Sequence, residues 1–313
     1  MEIGLVVPPD DAHREQIIPL LGHKGEPWLS HIELSFCRPL DELETRFYIG
    51  KLHGTPIANI MTVEHNGVGI LGHVWTVPEH RRKGACRELM ARQMAHFRER
   101  GGRCLYLGTG YDTPPYWIYH SFGFRSVFEG TGFMVYTTAE DFREQYFAEQ
   151  PALVEDLRWQ HWATVAPLVG GHEGEILRNY MLRLLGPTNF EGPFLHLREQ
   201  VEARAGAQAK VLVSESGAAV GLATLLPDPR WEGRVACLDL FIHPNFRDYT
   251  DQLLAAFDLA PAGISLVLAY VDAGAEYALD SLSVLGFERA GVLPEAARAL
   301  GQAADVVVMA LRR

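Results

Sequence analysis

The chain alternates between short runs with a two-residue hydrophobic period and longer stretches with a helical one. Residues 46–52 (RFYIGKL) and 56–65 (PIANIMTVEH) read as strands joined through His53-Gly54-Thr55, a sequence suited to a tight connection. Asn66-Gly67 then leads into residues 69–77 (GILGHVWTV), which predicts an antiparallel meander. Beyond Pro78 the period changes. Met90, Met94 and Phe97, at i, i+4 and i+7, predict an amphipathic helix that stops at Gly101-Gly102. A strand at 103–109 (RCLYLGT), a helix around 114–122 (PPYWIYHSF) and a strand at 133–138 (FMVYTT) follow, so the fold class is mixed α/β.

The second half repeats this order in weaker form. The runs 210–216 (KVLVSES) and 219–227 (AVGLATLLP) meet at Gly217; 234–244 (RVACLDLFIHP) ends in proline; 251–257 is helical in pattern; 264–271 and 306–313 read as strands. Two landmarks recur at nearly one offset. Val77-Pro78-Glu79-His80-Arg81 resembles His243-Pro244-Asn245-Phe246-Arg247, and Phe122-Gly123-Phe124 matches Leu285-Gly286-Phe287. That spacing, about half the chain, points to an internal duplication, with a polar connection at 139–151 (AEDFREQYFAEQP). The expected domains are 1–145 and 151–313.

Composition narrows the partners. The 313 residues carry 28 Lys plus Arg against 39 Asp plus Glu, a formal charge of −11, which disfavours nucleic acid because that partner draws on clustered positive charge. The expected substrate is neutral or cationic. No apolar run reaches the roughly 20 residues that cross a bilayer, and the opening MEIGLVVPPDDAHRE lacks the basic flank and apolar stretch of a leader; no membrane partner and a cytoplasmic location are expected. Cys37, Cys86, Cys104 and Cys237 are scattered and read as reduced thiols, with no metal site.

The candidate chemistry lies in 77–90 (VPEHRRKGACRELM). A strand runs into a turn at Pro78 and a helix starts at Gly84, so backbone N–H groups at the helix start lack intrahelical acceptors. Such an end binds anions, and the helix dipole together with Arg81, Arg82, Lys83 and Arg87 suits a pyrophosphate. Glycine at 84 keeps a side chain from blocking close approach of phosphate oxygens. Neither Gly-x-x-x-x-Gly-Lys-Ser/Thr nor Gly-x-Gly-x-x-Gly is present, which disfavours nucleoside triphosphates and dinucleotides.

Arg81-x-x-Gly84-x-Cys86 resembles the Gln/Arg-x-x-Gly-x-Gly/Ala signature of the GNAT superfamily of N-acetyltransferases, with cysteine at the third motif position. Downstream, residues 112–124 (DTPPYWIYHSFGF) are similar to that family's Asn-x-x-Ala-x-x-x-Tyr-x-x-x-Gly-Phe, with Asp112 at the Asn position, Pro115 at the Ala position, and Tyr119, Gly123 and Phe124 at identical ones. The resemblance implies two tandem GNAT-like domains, each a mixed, mostly antiparallel sheet flanked by helices. It implies acetyl-CoA as cosubstrate, held by Thr76, Val77, Arg81, Arg82, Lys83, Gly84, Ala85, Cys86, Arg87, Asp112 and Pro115. Backbone groups around Thr76 and Val77 would pair with the pantetheine arm. Tyr119 would be the general acid for the departing thiolate, although a half-buried tyrosine on an amphipathic helix has an ordinary packing explanation too.

The implied activity is transfer of an acetyl group to a primary amine of a small molecule. The alternatives are a non-catalytic acyl-CoA-binding module or use of a longer acyl-CoA. Candidates for the base are His73, Glu64 and His65. Strand alternation puts His73 on the face opposite Thr76 unless a bulge intervenes, so a structural histidine is the favoured reading. His80 reads as a solvated turn residue and Cys86 as a packing one. Trp28, His31, Glu33 and Phe36 lie on a segment that could line an amine pocket, with Trp28 and Phe36 expected to pack on the sheet. In the second half Arg247 is kept, but Gly84 becomes Thr250, Cys86 becomes Gln252, Arg82-Lys83 becomes Asp248-Tyr249 and Tyr119 falls opposite Leu282. Residues 151–313 are therefore expected to be a degenerate, non-catalytic copy. Tyr277 is its alternative acid. The oligomeric state and the acceptor amine are open at this level.

Overall fold

The computed structural model describes residues 1–312; Arg313, the last residue of the predicted closing strand, lies outside them. The chain divides into two compact units, one of Met1–Arg143 with Arg158–Ala166, the other of Glu144–Leu157 with Pro167–Arg313.

In the first unit the elements run β1 (Glu2–Val6), α1 (Asp11–Leu21), α2 (Trp28–Cys37), β2 (Glu44–Leu52), β3 (Thr55–His65), β4 (Val68–Thr76), α3 (Ala85–Glu99), β5 (Cys104–Gly108), α4 (Pro114–Ser121), β6 (Arg125–Ser126) and β7 (Phe133–Thr137). The predicted meander is β2–β3–β4. All seven strands join one sheet, ordered β1-β2-β3-β4-β5-β7-β6, antiparallel throughout except for the parallel pair β4–β5. A parallel pair needs a crossover, and α3 supplies it. Its stripe Leu89, Met90, Met94 and Phe97 is wholly buried on the sheet with Ile60, Leu71, Leu105, Leu107 and Phe124; each such side chain stabilises the packing by roughly 1.5–3 kcal/mol. On α2, Phe36 is buried and stacks on Phe47 with centroids 5.3 Å apart, while Trp28 is half-buried.

The rest of the chain runs α5 (Phe142–Tyr146), β8 (Ala152–Asp156), α6 (His161–Gly170), β9 (Leu177–Asn179), β10 (Leu184–Leu185), α7 (Glu191–Ala203), β11 (Gln208–Ser214), β12 (Ala219–Pro227), β13 (Val235–Ile242), α8 (Thr250–Ala255), β14 (Leu266–Asp272), α9 (Glu276–Val284), β15 (Glu288–Ala299) and β16 (Gln302–Arg312). The larger sheet of the second unit is ordered β8-β11-β12-β13-β14-β16-β15, again seven strands, and β9–β10 form a small separate sheet. Its parallel pair is β13–β14, the other neighbours being antiparallel. The fold is the mixed α/β class expected, with two mostly antiparallel sheets flanked by helices.

The β15 strand carries little periodicity in the sequence. It is mostly exposed, and its register with β16 jumps between Leu293 and Ala297, around Pro294, which cannot donate to a ladder. Among the described residues no helix is long and apolar enough to cross a membrane.

Candidate active site

The site begins with a defect in β4. Asn59 pairs with Trp75 and Met61 with Gly72, so Ile60 alone on β3 faces both His73 and Val74, a bulge. His73 takes a left-handed φ of +49°, and its carbonyl accepts a 2.9 Å hydrogen bond from Asn59 Nδ2. The predicted alternation along this strand is broken at His73. Beyond the bulge β4 leaves its neighbour: parallel pairing with β5 covers only Val68, Gly69 and Ile70.

Where the strands part lies a cavity of about 510 Å³, lined from β4 by Val74, Trp75 and Thr76, from the following turn and α3 by His80, Arg81, Arg82, Gly84, Ala85, Cys86 and Arg87, and from α4 by Pro114, Pro115, Ile118 and Tyr119. Nine of the residues singled out in the sequence thus meet in one cleft. Lys83, Val77 and Asp112 do not line it. The Val77 N–H donates to Ile57 O and its carbonyl accepts from His80 N, each at 2.9 Å, so both groups are engaged within the protein. Asp112 accepts from Trp117 Nε1 at 2.8 Å and has a φ of +57°, which makes it part of the turn leading into α4.

The helix start has the expected open donors. The first α3 ladder bond runs from Glu88 N to Gly84 O, leaving the earlier N–H groups without helical acceptors. Gly84 sits at φ +92°. A Cβ there would meet no protein atom closer than Glu88 Oε1 at 3.9 Å, so within the protein itself the requirement for glycine is one of backbone conformation. Arg81 is set by two contacts: its Nε donates to Thr76 O at 3.0 Å and its guanidinium lies 4.5 Å over the Trp75 ring. Arg87 donates to Ser121 Oγ at 3.2 Å, tying α3 to α4.

Tyr119 is 6% exposed, with its ring edge-on to Phe124 at 6.2 Å. The Gly123-Phe124 pair that follows is a helix stop, with Gly123 at φ +98° and Phe124 N bonded to Tyr119 O. Cys86 is half-buried, and burial pushes its thiol pKa upward against the pull of Arg87, the opposite of an activated nucleophile.

None of the candidate bases lines the cleft. Glu64 is buried and held by Arg100 NH2 at 2.8 and 3.1 Å and by Thr62 Oγ1 at 2.6 Å. His65 Nδ1 lies 3.1 Å from Glu42 O. His73 is buried and pushed down to about 3, by burial first and then by the charges of Lys24 and His23. His31 is likewise pushed down to about 3, by burial first and then by His73, and packs edge-on against Trp162 at 4.6 Å.

Trp75 and His80 line the cleft although neither was singled out for binding. His23 stacks on Trp75 at 3.8 Å, and Lys24 Nζ is 5.9 Å from the same ring. A tryptophan one residue before the predicted cofactor strand's Thr76 was the available signal, and its partners from the α1–α2 connection were not legible from spacing.

Residues 15–124 match the model of the acetyltransferase (GNAT) family. This segment is a GNAT acetyltransferase domain. It runs from α1 to Phe124 and so contains the entire cleft lining, and the chain is accordingly an acyltransferase. Solved structures similar to the chain include an acetyltransferase of the GNAT family from Streptococcus pneumoniae, at 14% identity over 52% of this chain and 99% of that one with a TM-score of 0.41. A spermidine N-acetyltransferase from Vibrio cholerae in complex with CoA and spermine is similar at 17% identity over 51% and 95%, TM-score 0.38. A putative acetyltransferase from Salmonella typhimurium with acetyl-CoA is similar at 14% over 51% and 93%, TM-score 0.40. No curated protein matches the chain.

Proposed function

We propose that the acetyltransferase domain transfers an acetyl group from acetyl-CoA directly to a primary amine of a small molecule. The observation that carries this reading is the convergence of the α3 start, its arginines and Tyr119 on one cleft. The open N–H groups at Ala85, Cys86 and Arg87, with Arg81 and Arg82, fit a pyrophosphate. The parting of β4 from β5 leaves an edge at Val74 to Thr76 along which an extended pantetheine arm can lie.

In the reaction the amine nitrogen attacks the acyl carbonyl, the C–N bond forms, the C–S bond breaks, and the sulfur leaves as thiolate. Tyr119 donates its hydroxyl proton to that sulfur, and the proton lost by the amine passes to water and is returned through solvent to the Tyr119 oxygen, so the products are the amide and the free thiol. A neutral amine is required, which agrees with a cleft whose charges are cationic and sit at the phosphate end. The test is acetylation of an amine panel with free-thiol release as readout. Tyr119→Phe is expected to lower turnover about 10²-fold or more while acetyl-CoA affinity stays within about twofold by calorimetry; wild-type turnover in that variant removes the acid role. Binding of acetyl-CoA without transfer to any amine favours the non-catalytic module instead.

Residues 1–145 and 151–313 are, on this reading, tandem copies, the second degenerate. The matching strand orders and the single parallel pair in each large sheet support it. In the second copy the gap beyond the β13–β14 pairing is filled by the chain itself. Ile176 N donates to Asp272 at 3.1 Å and Tyr180 N to Asp239 at 2.6 Å. The Glu175 carboxylate is bound to Arg247, the counterpart of Arg81, and to the Tyr277 hydroxyl. A carboxylate on that arginine stands where a cofactor phosphate would, and burial and Glu175 both raise the Tyr277 pKa.

A further inference from the structure

The segment around β9 and β10 also borders two further cavities of the second unit. One, of about 290 Å³, is apolar, walled by Leu177 and Leu185 of that segment and by Leu293, Ala297 and Val306 of the β15–β16 hairpin. The other, of about 350 Å³, is polar and bordered by Arg183, Arg204, Arg230 and His196. Tyr180 and Arg183 border both, so the two adjoin.

Charge in the polar cavity is unbalanced in a chain whose net charge is −11. Its one bordering carboxylate, Asp228, is committed: Oδ1 accepts from Arg230 Nε and Oδ2 from Arg230 NH2, both at 2.8 Å. Arg183 and Arg204 are left as exposed cations facing the cavity.

The shared wall is built from buried polar side chains. Asp239, buried on β13, accepts from the backbone N–H groups of Tyr180 and Met181. Asn179 donates to Thr224 Oγ1 at 2.9 Å and accepts from Leu182 N at 2.7 Å. Buried Arg178 donates to the carbonyls of Val169 and Gly171, and Tyr180 stacks on Tyr270 at 3.8 Å. Buried polar groups satisfied this completely hold a surface in one shape, and preformed walls are what small-molecule pockets have.

We propose that the second unit binds a small amphipathic carboxylate, its apolar body in the Leu177–Val306 cavity and its carboxylate on Arg183 and Arg204. At about 30 Å³ for each water-sized group, the apolar cavity holds on the order of ten non-hydrogen atoms, the size of a medium-length acyl chain. A carboxylate meets guanidinium groups through paired charge-assisted hydrogen bonds. Its lining shares no residue with the cleft of the first unit.

Octanoate titrated into the full chain, followed by calorimetry, tests this. Expected are saturable binding at one per chain, about a tenfold loss in Arg183→Ala, and a comparable or larger loss in Ala296→Leu, which fills the apolar cavity from an exposed lining position. Octanol, the chain without the charge, and inorganic phosphate, the charge without the chain, should each bind more weakly. Circular-dichroism melts of the two variants establish that both are folded. The proposal is overturned by absent octanoate binding, by octanol or phosphate binding as well as octanoate, or by octanoate binding that is indifferent to both substitutions.

Discussion

At the scale of single residues, chemistry in the first unit is set by what is buried beside what. Arg81 is held by a backbone carbonyl and an indole face, so its guanidinium is placed before any anion arrives. Arg81→Ala should weaken coenzyme A binding about tenfold, with turnover at saturation changed less; equal losses in both would make its role catalytic. His31 and His73 follow a different logic. Both are pushed down to about 3 by burial and neighbouring charge, whereas an unfolded chain protonates histidine near 6.5. Between about pH 6.5 and 3 the unfolded state binds protons that the folded state refuses, so stability falls as pH falls, by roughly 1.4 kcal/mol per pH unit for each histidine. Denaturant unfolding of His31→Leu at pH 7 and pH 5 should show the variant losing about 2 kcal/mol less on acidification than wild type. Parallel losses would acquit this histidine. The burial of His31 was not legible from spacing alone, because α2 meets its neighbours only in the folded unit, whereas the structural reading of His73 followed from its place on β4.

At the scale of elements, the decisive feature is the bulge in β4. Two residues opposite Ile60 turn the strand away from β5, and Asn59 secures the turn through the His73 carbonyl. Asn59→Leu keeps the volume and removes that bond. It is expected to weaken acetyl-CoA binding several-fold, and since a buried hydrogen bond contributes about 1 kcal/mol, the fold should survive, as thermal unfolding would report. Unchanged affinity would mean that the strands part without this clamp. The α3 start was legible because a glycine after a basic turn and before an apolar helical stripe is a local pattern. Val77 and Asp112 sit beside the cleft in sequence but do not line it: the Val77 backbone groups bond to Ile57 and His80, and Asp112 accepts from Trp117.

For the whole molecule, two sheets of one strand order have different gaps beyond the parallel pair. The first is an open cavity; the second is crossed by residues 175–181, with Glu175 on Arg247. Titration of acetyl-CoA into the full chain should therefore give one site per chain, abolished by changes in the Arg81–Arg87 loop. A second site, or one that survives those changes, would refute the degenerate-copy reading. Asp248 in place of a basic residue and Thr250 in place of glycine already pointed to an impaired loop. That the chain itself occupies the gap did not show, because β9 and β10 are of three and two residues, too short to leave a period.

The sequence by itself determined α3, α4, α8 and most strands, the basic loop ahead of α3 and the placement of Tyr119 one helix later, since each depends on neighbours within a few positions along the chain. Only the tertiary structure decided how far β4 parts from β5, which of the loop residues face the cleft, and that Glu175 meets Arg247 seventy-two residues away. Those outcomes depend on pairing register and burial between distant segments, and a one-residue bulge or a single buried carboxylate changes them without altering any local pattern.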